Sequence, residues 1–170
     1  MSMREEEIAG WLLAGRDAAG NPLTVPSWTF ATREERVAEV VRHRYGGEVR
    51  RSEDHMYVTA IPVNEIAVEL ISMSPGGERN SAAQEGIRIE FRLIRILDMG
   101  IFALSSSSEN FADSLHEAVS GNERRGEVGE LSLVLKEKRF TTRSGMQVVY
   151  VWPEARWREA ADGGAFDLAA

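Results

Sequence analysis

Residues 87–93 read Ile-Arg-Ile-Glu-Phe-Arg-Leu, apolar at every odd position and charged at every even one. A period of two makes one buried and one polar face only in a β-strand, so a strand is expected over residues 86–97. Asp98-Met99-Gly100 supplies a turn, and residues 101–104 return as the second strand of a hairpin. The same alternation recurs near the C-terminal end. Leu131, Leu133 and Leu135 alternate with Ser132, Val134 and Lys136 in a strand expected to reach Thr141. Arg143-Ser144-Gly145 turns the chain, and Met146, Val148, Tyr150 and Trp152 share one face of the returning strand, with Pro153 expected to end it. Between the two hairpins, Ser106-Ser107-Ser108-Glu109 has the form of a capping box. The helix it opens is expected to run to about residue 119 with Phe111, Leu115 and Val119 on its buried side. Gly121 should stop it, and residues 122–127 should form a charged loop. The second half therefore reads as a ββαββ unit.

The first half is less regular. Residues 8–14 contain Trp11, Leu12 and Leu13 and fit a strand, although Ile8, Trp11 and Leu12 also suit a short amphipathic helix. A loop with two glycines and a proline follows at residues 15–22, then a second β-favouring segment at 23–30. Thr32-Arg33-Glu34-Glu35 is another capping-box pattern, and Val37, Val40, Val41 and Tyr45 keep the spacing of a buried helical stripe that Gly46-Gly47 ends. Residues 48–51, 56–60 and 65–72 read as short strands. The fold class is α+β, mostly antiparallel strands with two short helices. One compact domain is expected over residues 1–158, built from two linked halves, 8–72 and 86–153. The seam falls in the loop-like segment 74–81, and residues 159–170 form a flexible tail.

Composition removes whole classes of function. The chain has no cysteine, which excludes disulfides, thiolate metal sites and cysteine nucleophiles. Its longest apolar run, Val148-Val149-Tyr150-Val151-Trp152, is far short of the roughly 20 residues that span a bilayer, so no membrane partner is expected. The first seven residues carry acids where an export signal would be basic, which points to the cytoplasm. A formal net charge of −7 argues against strong independent binding to DNA, whose phosphates need a cationic surface. Lys136 and Lys138 are the two lysines among 20 basic residues, the rest being arginine.

No pattern of titratable groups points to catalysis. His43, His55 and His116 are scattered, so neither a zinc motif nor a histidine pair is formed. The four serines 105–108 lack a nucleophile elbow and suit capping. Gly10-Trp11-Leu12-Leu13-Ala14-Gly15 lacks the Lys-Ser/Thr of a phosphate loop, so its glycines read as turn residues. No catalytic residue, cofactor or metal is expected. One binding pattern remains: Arg88, Arg92 and Arg95, near Phe91 and Tyr150, could make a basic strand face with stacking positions for single-stranded or structured nucleic acid.

The order Gly10, Gly15, Gly20-Asn21-Pro22, Trp28-Thr29-Phe30-Ala31-Thr32 and the helix ending Tyr45-Gly46-Gly47-Glu48-Val49-Arg50 resembles the recombination directionality factors that partner large serine integrases in actinobacterial phages and prophages. Gly86 to Leu93, Gly100 to Ser106, the helix with Phe111, and Thr141-Thr142-Arg143-Ser144-Gly145 leading to Pro153 are similar in order and spacing. The likeness covers roughly residues 8–153. Many members of that family carry a cysteine-containing insertion before the second half; here residues 74–81 form a short segment without cysteine, so no metal role of that insertion carries over.

The resemblance implies a non-enzymatic protein. Such a factor binds a large serine integrase on its attachment-site DNA and switches site-specific recombination from integration to prophage excision. Trp152 and Trp157 are the candidate partner-binding residues, since large aromatics are the usual anchors of protein interfaces.

Overall fold

The computed structural model describes residues 7–14, 27–75, 86–125 and 129–157. The strands are β1 (Ile8–Ala14), β2 (Trp28–Thr32), β3 (Glu48–Arg51), β4 (Tyr57–Ile61), β5 (Glu65–Pro75), β6 (Ile87–Leu93), β7 (Ile101–Ser106), β8 (Glu130–Thr141) and β9 (Gln147–Trp157). Helix α1 (Glu35–Tyr45) follows β2, a 3-10 segment (Ile94–Met99) joins β6 to β7, and α2 (Glu109–Arg125) follows β7. Among the described residues all nine strands form one sheet, in the order β3-β4-β2-β1-β7-β6-β5-β8-β9. Every pairing is antiparallel except β1 with β7. The fold is α+β, and β6, β7, α2, β8 and β9 make the ββαββ unit expected from the sequence.

Residues 8–14 are a strand, which settles the choice between strand and helix there. The sheet curls so that β9 comes back into contact with β1, with four strands between them in the order. Its concave side holds the core. Phe30, Phe91, Phe102, Leu131 and Leu133 line it, covered by Val37, Val41 and Tyr45 of α1 and by Phe111 and Leu115 of α2.

The chain boundaries expected from the sequence shift in several places. Strand β6 stops at Leu93, because residues 94–99 wind into a 3-10 segment, itself kinked at Ile96 (φ −144°, ψ 53°). Helix α2 passes through Gly121 and Asn122 to Arg125. Strand β9 passes through Pro153 as far as Trp157; it is an edge strand, where a residue without N–H breaks no ladder bond. Gly10 is no turn residue but lies inside β1.

Neither capping box forms as read. The Thr32 hydroxyl donates to the Ala9 carbonyl (2.6 Å) and accepts from the Glu34 amide, so Thr32 ends β2 and Glu34 takes the cap position of α1. Ser108, not Ser106, caps α2, accepting from the Phe111 amide at 3.3 Å. Strand β5 lies between β6 and β8, so its sheet neighbours come from the second half of the chain, while β1–β7 is the junction with the first. The loop expected at 15–22, most of the segment 74–81 and the tail 159–170 lie outside the described residues.

Candidate functional site

The three histidines are dispersed. His43 is on α1, His116 on α2, and His55 sits in the β3–β4 turn with φ 61°. Among the described residues no group of three or more His, Asp or Glu is placed to hold a metal ion. In the serine run, Ser108 caps α2 and the Ser106 hydroxyl accepts from the Ser108 amide at 3.1 Å.

The basic strand face breaks up. Arg88 and Arg92 share one face of β6, but Arg95 falls in the 3-10 segment and lies over the Tyr45 ring, 5.3 Å from its centre. Arg92 is held by Glu69 at 3.3 Å, and Arg88 lies 4.0 Å from the buried Glu90. Phe91 points into the core, and Tyr150 is three strands away on β9. The arginines and aromatics are thus not brought together.

The two tryptophans are. The Ala155 amide on the free edge of β9 donates to Ser114 Oγ at 2.9 Å, and the Ser114 hydroxyl donates in turn to the Phe111 carbonyl at 2.9 Å. That pair of bonds fastens α2 along the sheet edge. Burying Phe111, Leu115 and Ala118 leaves the other side of the helix beside β9, and a groove of about 740 Å³ runs between them. Trp152 and Trp157 both line it, although they point to opposite faces of β9, as the pairings Lys136–Trp152 and Leu131–Trp157 require. Asp113 and Glu117, four residues apart on α2, form its helical wall. Glu154 lines it from β9 and is bonded to Arg156 at 3.0 Å. The groove thus combines large aromatic surfaces with carboxylates, chemistry suited to a cationic protein segment.

A second feature was hidden in the sequence. Strand β8 pairs with β5 only through residues 130–134; beyond Leu135 its sole sheet neighbour is β9. The two strands therefore leave the sheet as a free-standing arm, closed by Thr142 and Gly145. Phe140, Met146, Val149 and Tyr150 on it are between 43% and 64% exposed. The signal for it was composition: both lysines of the chain fall with Phe140 on one face of what would otherwise read as a half-buried strand.

Comparison of the chain with models of known families, with curated proteins and with solved structures finds no match. Among the described residues no helix is long and apolar enough to cross a membrane.

Proposed function

We propose that this protein is a non-enzymatic recombination directionality factor, which binds a large serine integrase in the α2–β9 groove and switches it from integration to excision. The observation that carries this reading is the convergence of Trp152 and Trp157, far apart in direction on their strand, in one groove walled by Asp113 and Glu117. The likeness to directionality factors in residue order supplies the class of partner. A DNA-binding integrase is basic, and carboxylates beside aromatic anchors complement such a surface. The chain's −7 charge acts in the same direction.

A bound factor changes the outcome of recombination only through its difference in affinity for the two arrangements of the integrase. Inverting a 1:99 preference takes about 10⁴-fold tighter binding to one arrangement. The test is recombination by the purified cognate integrase with and without this protein. Excision at attL × attR should appear and integration at attP × attB should fall; if both reactions proceed unchanged, the reading is wrong.

A further inference from the structure

We infer that the β8–β9 arm is a binding site for single-stranded nucleic acid, with Lys136 and Lys138 taking phosphates and Tyr150, Trp152 and Phe140 offering stacking surfaces to bases. The register places these residues on one face. Lys136 lies opposite Trp152, Lys138 opposite Tyr150 and Phe140 opposite Val148, all on the side of β8 away from Leu131, Leu133 and Leu135. A cation and an aromatic thus face each other in two successive rungs, about 7 Å apart along the strands.

Three properties of the arm support an occupant of this kind. Core packing does not explain its aromatic residues, since Tyr150 is 50% and Phe140 46% exposed. The rings of Tyr150 and Trp152 lie 5.3 Å apart at 31°, an aromatic ledge of two rings rather than a single exposed residue. The charge of the chain is also segregated: the arm carries Lys136, Lys138, Arg139 and Arg143 against Glu137 alone, although the whole chain is at −7. Glu137 is occupied with Arg139 at 2.9 Å, and no carboxylate among the described residues lies within ion-pair distance of either lysine.

An acidic protein surface would satisfy the lysines but not the rings, whose negative faces repel carboxylates. Nucleic acid satisfies both, phosphate on the cation and base on the ring. A single strand is preferred over a duplex because its bases are free to leave their neighbours and stack on the protein. The acidic remainder of the molecule repels phosphate and confines the contact to the arm, so the contact is local even though the chain as a whole is anionic. The site shares Trp152 with the α2–β9 groove but is otherwise distinct from it and from the Arg88/Arg92 face, and its test, made at Lys136, Lys138 and Tyr150, is separate from that of the integrase reading.

The experiment is a titration of a fluorescein-labelled oligothymidylate of about a dozen nucleotides with the full chain, followed by anisotropy. Binding should weaken about sevenfold between 50 and 200 mM salt if two phosphates are neutralised. Lys136→Glu with Lys138→Glu should weaken it at least about tenfold, and Tyr150→Ala about fivefold or more. These positions lie on the free-standing arm, so unfolding temperatures should match that of the unaltered protein. Arg92→Gln should leave the titration unchanged.

A flat titration at low salt overturns the proposal. So does binding that survives the lysine reversal, or that is lost in Arg92→Gln instead. A duplex of equal length that binds as tightly, with no dependence on Tyr150, overturns the single-strand assignment. Loss of integrase capture in the arm variants alongside a flat oligonucleotide titration would reassign the arm to protein docking.

Discussion

The ring of Phe102 lies against the backbone of Gly10 on the neighbouring parallel strand, so close that a Cβ at Gly10 would stand 3.0 Å from the ring and 2.8 Å from the Ala31 carbonyl oxygen. Phe102 in turn meets Phe30 edge-on at 5.7 Å, so the glycine makes room for the aromatic centre of the core at the one parallel junction among the described strands. Gly10→Ala should therefore destabilise the fold by about 1–3 kcal/mol through overpacking, measured as a lower urea midpoint at unchanged slope. Gly121 is the contrasting case. It lies within α2, where a methyl group would meet nothing within 4 Å, and Gly121→Ala should stabilise by about 0.5–1 kcal/mol.

Glu90 is buried at 1% exposure on the polar side of β6, where it accepts a hydrogen bond from the Ser72 hydroxyl at 3.1 Å and has Arg88 beside it. Glu90→Ala removes the carboxylate but leaves the half-buried guanidinium, a loss expected to cost about 2–4 kcal/mol. Glu90→Gln keeps an acceptor for Ser72 and should cost less. Chemical denaturation of the two variants separates the charge from the hydrogen bond; an unchanged midpoint in Glu90→Gln would show that charge is irrelevant there, and equal losses that the hydrogen bond is.

Burial pushes the Tyr45 hydroxyl up from 10.0 to about 12, with the Arg95 guanidinium over its ring acting in the opposite direction. The folded state therefore holds this proton more tightly than the unfolded chain does. The stability so gained is complete below pH 10 and is lost as the pH rises from 10 towards 12, about 1.4 kcal/mol of it by pH 11. Tyr45→Phe should flatten the alkaline limb of the stability–pH curve by that amount. An identical limb in the variant would place the alkaline sensitivity elsewhere.

Local periodicity was legible wherever one face of an element is buried and the other is wet. The alternation through Ile87, Ile89, Phe91 and Leu93 and the stripe of Val37, Val41 and Tyr45 both became what their spacing implied. Boundaries failed where tertiary context decides. Pro153 is a strand terminator in a central strand but is tolerated at an edge, and the edge position of β9 exists only once nine strands are ordered. Gly121 would end a helix that had no partner, but α2 is held by Phe111 and Leu115 in the core.

Arg95 shows the same limit at the level of the site. Spacing put it on a strand with Arg88 and Arg92, but the chain winds into the 3-10 segment from Ile94 and the Arg95 side chain lies over Tyr45. Trp152 and Trp157 were recognisable as large aromatics near one end of the chain. That they share a groove follows from the docking of α2 beside β9, through Phe111 and Leu115 in the core and the bond from the Ala155 amide to Ser114, between residues 41 positions apart.

The groove gives the most direct test of how a partner would be held. Asp113 and Glu117 are exposed on α2, so Asp113→Lys with Glu117→Lys should leave the fold intact while replacing the carboxylate wall by a cationic one. Against a basic integrase this reversal should act mainly on the association rate, lowering it about tenfold at low salt and less as salt screens the charges. Trp152→Ala should act differently, because an aromatic anchor contributes after encounter: dissociation should speed up by about tenfold or more with little change in association. Binding kinetics on immobilised integrase at two salt concentrations distinguish the two effects. If neither variant alters either rate while excision activity persists, the integrase meets this protein somewhere other than the α2–β9 groove.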